Sequence, residues 1–539
     1  MKKLFIYLFF LVGIYAPMMH ALTECGPIIG CLSSTSCSTN CPGCDCCELD
    51  CCHTSTCKTY LAKRSQGSDT ARWMMGFKAF VAMMNDKEKT TTVMITPGFS
   101  RSFNNEKLAS FFLPKPDSNC VIFQTNSQEA NVLRADDFGL VGTGTVCICP
   151  QLSNFFIDFG AYLDLKSCYD GLFFEIHAPV VHTWWDANCS TCDASSTCTA
   201  GFPANLMACS EAPTPAGTTN LKRALRGDFT WPDVKNELCF GVICKDRISK
   251  TRLADVRLAL GYYAYRCDRW GVGIKAVGAI PAGNVPEAHF LLDPVVGNGG
   301  NPELGAGLMA HANFYECEDG SYFAWYLDGY ASHLFTSRTQ RRLFDLTKNG
   351  CFSRYLLLKK FDNKVKLVEL ERGPNLFAQP IKVAVDVQGD VSTMLSYVGS
   401  CFSCDIGYNF WGRSQEKCKE FGCCIPANTY GIKGTIPFCQ PDGTANIQTA
   451  STATINTSSG TEGATDGTQP RFLECDDLNI CSALNPSVFT QAVFANINYS
   501  TKGLGCDAFF GIGGKVEFTD NCHQTIQQWQ VWVSGAANF

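Results

Sequence analysis

Residues Gln527–Phe539 read QQWQVWVSGAANF. Trp529, Val531, Val533, Gly535, Ala537 and Phe539 are apolar or small, while Gln530, Ser534 and Asn538 between them are polar. A period of two belongs to a strand whose two faces meet different environments. Taken alone, the pattern suits an edge strand of a soluble domain as well as a strand of a membrane barrel.

The same writing recurs upstream. NFFIDFGAYLDL (154–165), GLFFEIHAPVVHTWW (171–185), RLADVRLALGYYAY (252–265) and LGAGLMAHANFY (304–315) each put apolar residues at alternate positions against Asp, Glu, His or Asn. FAWYLDGYASHLF, IKVAVDVQ, DVSTMLSYV, CDIGYNFW, FANINYS and DAFFGIGGKVEF continue the pattern. Many of these runs have the length a tilted strand needs to cross a bilayer, about 9–11 residues, whereas soluble strands average about half that. Trp184, Trp185, Trp270, Trp325, Trp411, Trp529 and Trp532 fall at or near the strand ends, as aromatic girdles do at the two water interfaces of a membrane barrel. The fold class expected is all-β, a transmembrane antiparallel β-barrel of about 12–16 strands.

Bulk properties agree. Beyond the N-terminal segment no apolar run is long enough for a spanning helix, and only helices and closed barrels satisfy the backbone in lipid. Charged residues make up 17% of the 539 and the net charge is -6, so no basic stripe invites nucleic acid. Lys2 and Lys3 followed by the apolar run Leu4–Tyr15 fit a signal peptide over residues 1–21. Glu24 before Cys25 does not suit a lipidation site.

All 33 cysteines lie beyond that leader. In an exported chain they are expected as disulfides, and their odd number leaves at least one thiol free or paired with another chain. Residues 22–60 form a cysteine-rich segment containing Cys25, Cys31, Cys37, Cys41, Cys44, Cys46, Cys47, Cys51, Cys52 and Cys57. Residues 61–88 read as a helical linker or plug, with Ser68 and Asp69 placed to cap a helix through ARWMMGFKAFVAMM. The barrel is expected over 89–539, interrupted by long loops at about 186–245 and 413–486. These carry the further disulfide candidates Cys189, Cys192, Cys198, Cys209, Cys239 and Cys244, then Cys418, Cys423, Cys424 and Cys439, with Cys401 and Cys404 just before the second loop. The tract DGTANIQTASTATINTSSGTEGATDGT within the second loop is expected to be a mobile outer loop.

With its leader, amphipathic strands and terminal aromatic, the chain resembles the outer-membrane β-barrels of double-membraned bacteria. That resemblance implies residence in the outer membrane, lipid as a partner, and a role for Trp529, Val531, Val533, Gly535, Ala537 and Phe539 as the signal read by the barrel-insertion machinery. The cysteine content resembles more narrowly the major outer-membrane proteins of obligate intracellular bacteria, porins cross-linked by disulfides into an envelope lattice. RSQGSDTAR and GLFFEIHAPVVHTWW are also similar to a paralogous set of cysteine-rich barrels from endosymbiont-like bacteria. The cysteine-rich N-terminus and very long loops depart from ordinary porins.

No catalytic motif emerges: GxSxG and HExxH are absent, VGNGGN lacks the phosphate-binding spacing, and STCK lacks its companion motifs. No enzyme activity, cofactor or metal site is expected. CPGC, CSTC and CFSC have zinc-like spacing, but an oxidising compartment favours disulfides. If the apolar strand faces meet lipid, then Glu175, His177, Asp255, Arg257, Lys275, His311, Asp328, Asp386, Asp390, Asp405, Lys515 and Glu517 face the lumen. There they either orient polar solutes in a conduit or pair with one another and fill it. Three functions follow: a porin-like passive channel for small hydrophilic solutes, a structural or adhesive protein cross-linked into an envelope lattice, or a secreted disulfide-rich soluble β-protein.

Overall fold

The computed structural model describes residues 57–539, except 62, 76–77, 79–89, 116–117, 126–128, 130–131, 193–200, 268, 458–469, 503–506 and 520–524. The expected leader and the cysteines from Cys25 to Cys52 lie outside the described residues, as does Cys198.

Twelve antiparallel strands close into a barrel. In chain order they are β1 (Thr91–Phe103), β2 (Gln151–Asp164), β3 (Leu172–Asp186), β4 (Val256–Arg266), β5 (Trp270–Ile280) and β6 (Glu303–Glu316). The ring continues with β7 (Tyr322–Leu334), β8 (Ala378–Val398), β9 (Phe402–Arg413), β10 (Val488–Lys502), β11 (Asp507–Phe518) and β12 (Gln527–Asn538). Each strand pairs with its sequence neighbour, and β12 returns to β1 in a register running from Thr92↔Asn538 to Phe103↔Gln527. Closure leaves no strand edge, which is what lets a sheet sit where water cannot satisfy the backbone.

The period-two pattern decides which way each strand faces. Ile95, Phe159, Leu260, Ile274, Leu308, Leu395, Ile406, Ile497, Ile512 and Val533 stand out from the wall, each about half exposed. Asp158, Glu175, Asp328, Asp390, Asp405 and Glu517 on the opposite faces are buried inside. A soluble protein would not leave so continuous an apolar belt around a polar interior. The exterior is that of a transmembrane barrel.

The two ends differ. Residues 165–171, 267–269, 317–321, 399–401 and 503–506 link strands at the end where Phe539 lies. The other end carries the connections 104–150, 187–255, 281–302, 335–377, 414–487 and 519–526. These long segments fold together into a cap with its own apolar core, including Phe111, Phe123, Phe138, Trp185, Phe344, Phe352, Leu358 and Ile432. A four-stranded sheet (Cys120–Gln124, Val132–Arg134, Thr143–Cys147, Ser190–Thr191) and a three-stranded one (Leu357–Phe361, Leu367–Arg372, Tyr430–Ile432) stiffen it. A buried ion pair fixes one loop against another, Arg342 to Glu416 at 2.5 Å, and a second, Arg354 to Asp345 at 2.6 Å, braces the 335–377 connection internally.

The low-complexity tract is not wholly a mobile loop. Ala450 donates its N–H to Ile432 and Arg134 donates to the carbonyl of Ile455, and Thr449, Ala450, Ala453 and Ile455 are buried. Small side chains that look like linker composition here let the backbone lie close against the cap. The later part, 458–469, lies outside the described residues.

Three aromatic placements also depart from the girdle expectation. Trp270 stands exposed at a strand end, but Trp411 and Trp532 are fully buried, and Trp185 is buried in the cap core. Trp411 shares parity with Asp405 and Asn409, and Trp532 with Gln530 and Ser534, so both point into the lumen.

Candidate functional site in the barrel lumen

The lumen is occupied by the chain's own residues 63–75. The short helix α1 (Thr70–Met74) is capped by Asp69, whose carboxylate accepts from the Arg72 N–H at 3.2 Å. All five of its residues are buried. Of the longer helix expected from ARWMMGFKAFVAMM, most lies outside the described residues.

Charged side chains join this segment to strands all around the ring. Arg72 donates to Asp158 of β2 from Nε at 3.1 Å, while its Nη2 lies 3.0 Å from the same oxygen and donates to the Gln66 carbonyl; the indole of Trp73 donates to that carboxylate oxygen at 3.1 Å. Across the barrel, Thr70 donates its hydroxyl to Asp390 of β8 at 2.7 Å. Asp69 takes Lys515 of β11 at 2.7 Å. Arg64 donates to Asn409 of β9 at 2.6 Å and lies 3.6 Å from Asp390 and 3.5 Å from Glu517. Ser65 donates to Asp255 at 2.5 Å, Ser68 bonds the Tyr330 hydroxyl, and Lys78 bonds Glu175.

Rings add to the fit. Arg72 lies 4.7 Å over Phe156 and Arg64 lies 5.6 Å over Trp411, while Trp73 stacks on His177 at 4.4 Å. Cations over aromatic faces gain when water is excluded, as here. Gly67 is required by close approach: a Cβ there would lie 2.5 Å from the Asp255 carbonyl oxygen, which is backbone and cannot step aside.

The charge balance explains why the segment stays. Wall groups touching it are Asp158, Asp255, Asp390 and Glu517 against Lys515, and the segment brings Arg64 and Arg72 against Asp69, with Lys78 just beyond it on Glu175 and Asp328. An acidic wall is thus neutralised by a basic insert. Separating them would strand buried charges, which is far costlier than the pairing itself is stabilising. The wall also pairs within itself, through the bidentate Arg257–Glu303 contact at 3.1 and 2.8 Å and Lys275–Asp328 at 2.5 Å.

Little space is left. A lumen cavity of about 40 Å³ between Arg64, Asp69, Asn154, Trp411 and Lys515 has room for a few water molecules. A smaller one, about 30 Å³, lies beside Lys78, Tyr263, His311 and Asp328.

Of the lumen candidates, Glu175, His177, Asp255, Arg257, Lys275, Asp328, Asp390, Asp405, Lys515 and Glu517 are buried, and His311 is half buried between Tyr263 and Tyr326. Asp386 is a correction: it pairs with Lys417 at 2.5 Å and both side chains are about 40% exposed. The β7–β8 register shifts between Ser332/Gln388 and Leu334/Val385. That bulge adds a residue to β8 and puts Asp386 out of phase with Asp390. Sequence periodicity missed Asp158, Arg64 and Arg72 as lumen groups. The first was visible opposite Phe159, but the others belong to a segment without strand periodicity.

Cys57–Cys351 and Cys209–Cys439 join segments far apart in the chain, while Cys120–Cys147, Cys189–Cys244 and Cys423–Cys475 each close a loop within one connection. Cys189 therefore pairs with Cys244 and not within CSTC, and Cys401 and Cys404 of CFSC carry no disulfide. Cysteines three residues apart in extended chain lie about 10 Å apart, beyond the Cα spacing a disulfide needs. Among the described residues, one group brings three metal-ligating atoms together, Cys120, Cys147 and Cys192, and it lies in the cap.

No family model matches this chain, and no curated protein does. Among solved structures it is similar to an outer membrane channel from Pseudomonas putida F1, with TM-score 0.33 and 10% identity over 84% of this chain and 96% of that one. It is also similar to a Pseudomonas aeruginosa FadL homologue, at TM-score 0.27 and 6% identity over 90% and 99%. The translocator domain of the autotransporter NalP from Neisseria meningitidis follows at 0.28 and 5%, over 86% and 93%. All three TM-scores are below 0.5, so the barrel assignment rests on this chain's own strand register.

Proposed function

We propose that this protein is an outer-membrane barrel whose conduit is closed at rest by its own residues 63–75, and that it passes small hydrophilic solutes by passive diffusion when that segment withdraws. No chemical step is involved. The observation that carries the reading is the web of ion pairs between Arg64, Asp69 and Arg72 and an acidic polar wall, since such a wall suits solute passage once its counter-charges leave. In membrane barrels the short turns face the periplasm and the long loops face outward, which sets the cap outside.

Planar-bilayer recording tests this. Full-length protein should be silent or nearly so, and a variant lacking the Arg64, Asp69 and Arg72 charges should show stepwise conductance. Silence in both would overturn the channel reading.

A second reading, attachment to other envelope proteins, is favoured by the distribution of thiols. Every described disulfide is on the cap side, whereas Cys168, Cys267, Cys317 and Cys401, one in each of four turns at the opposite rim, are unpaired. Adjacent hairpins around the ring are two strand spacings apart, about 9–10 Å, too far for direct bridges between strand ends. Non-reducing gels of intact envelopes should then show a reducible high-mass ladder that Cys→Ser changes at these four positions remove. Monomers alone would tell against it.

A further inference from the structure

The cap's four-stranded sheet brings three cysteines to one face. Cys120 stands directly opposite Cys147 in the pairing of Cys120–Gln124 with Thr143–Cys147. On the other side, Thr143–Cys147 pairs with Ser190–Thr191 through Val146↔Thr191 and Cys147↔Ser190. Cys192 continues that edge and donates its N–H to the Thr145 carbonyl at 3.1 Å. Residues opposite one another in a sheet share a face, so Cys192 lies on the face of Thr145 and hence of Cys147 and Cys120. The three sulfurs are all within 4.8 Å of one another. Two of them form the Cys120–Cys147 disulfide, and the third, Cys192, is an exposed thiol.

We propose that this trio is an intramolecular thiol–disulfide exchange site in which Cys147 is the shared partner of Cys120 and Cys192. The sheet order places Cys147 between the other two. The Cys189–Cys244 disulfide, three residues before Cys192, anchors the edge that presents it. In the exchange, the Cys192 thiolate attacks the Cys147 sulfur along the existing S–S axis. A Cys147–Cys192 bond forms, the Cys120–Cys147 bond breaks, and its electron pair leaves on Cys120. The proton lost by Cys192 to water is matched by one taken up at Cys120, so there is no net oxidation and no outside oxidant is needed. The step moves the one free thiol of the trio from an exposed strand end to the half-buried Cys120, across two strands. Buried Cys147 stays bonded throughout. The site thereby sets which thiol the cap offers to an incoming thiol or disulfide.

Peptide mapping of the full-length detergent-solubilised protein tests this. In Cys120→Ser, Cys147 should be recovered in a disulfide with Cys192, and in Cys192→Ser it should be recovered with Cys120. Recovery of Cys147 and Cys192 as two alkylated thiols in Cys120→Ser, with the barrel still showing heat-modifiable migration, would overturn the proposal. Should Cys120→Ser fail to fold, wild-type protein decides. Slow alkylation with iodoacetamide at pH 8 should place label on both Cys192 and Cys120, totalling one per trio. Label confined to Cys192 would refute exchange, as would protection of all three sulfurs until a zinc chelator is added, which would make the trio a metal site.

Discussion

Arg72 donates from Nε to a carboxylate oxygen of Asp158 at 3.1 Å and holds its Nη2 3.0 Å from the same oxygen, with both side chains buried in the middle of the barrel. A contact so placed is a point where one substitution unbalances the seating of the inner segment. Removing one member of a buried pair costs about 3–5 kcal/mol, because the partner charge is left alone.

Arg72→Ala should therefore weaken seating of the segment and raise single-channel conductance. Asp158→Asn should do the same through the opposite charge, and Arg72→Ala/Asp158→Asn together should be milder than the sum of the two. Bilayer recordings of the three variants check this, and strict additivity would show that the pair is not coupled.

Gly67 gives a steric test independent of charge. Its added Cβ meets the backbone of Asp255 at 2.5 Å, so Gly67→Ala should push the segment off the wall. Increased protease cleavage between residues 63 and 75 in the assembled barrel is the expected result. An unchanged digestion rate would show that the segment accommodates the methyl.

Lys63 and Asp255 set opposing pH responses. Burial pushes the Lys63 ammonium down to about 7, and its Nζ has no hydrogen-bond partner. Burial likewise pushes the Asp255 carboxyl up to about 7, against the opposing effect of Ser65 donation. A withdrawn segment would return Lys63 to about 10.4 and Asp255 to about 3.9. For Lys63 the seated state releases a proton, so seating weakens as pH falls toward 7. For Asp255 the seated state takes one up, so seating weakens as pH rises toward 7. Each effect levels off beyond 7, so wild type should open most near pH 7. Asp255→Asn should open as pH falls to 7 and then hold level, and Lys63→Met should open as pH rises to 7 and then hold level. Conductance measured between pH 5.5 and 8.5 tests both signs.

Phe539 donates its N–H to Thr91 at 2.9 Å and accepts from Thr90, with its ring about half exposed at the rim. Phe539→Asp should reduce the heat-modifiable, membrane-inserted fraction, since a carboxylate would replace the terminal aromatic. Wild-type insertion of that variant would show that the ring is not a signal for assembly.

Strand parity was legible residue by residue. Val531 and Val533 face out and Gln530 and Ser534 face in as alternation requires, because in a barrel the lipid enforces one environment along the whole outer face. Asp386 escaped the pattern, since a single bulged residue reverses phase without any mark in composition. Trp411 and Trp532 follow strand parity into the lumen and not the preference of aromatics for the interface. The disulfide partners Cys120, Cys147, Cys351 and Cys475 lie outside the expected set, as pairing depends on how the long connections fold back on themselves and over one another.

Closure into an antiparallel barrel with a polar inside is written in the alternation along the chain. Alternation is a local property, and the bilayer reads it locally. That the inside is filled emerges only from the assembled barrel. Arg64, Asp69 and Arg72 are close neighbours in the chain, but their partners Asp158, Asp390, Lys515 and Glu517 lie on strands from β2 to β11. Whether buried charges line a conduit or close it depends on which of them meet, and that is settled by the ring's closure around the segment.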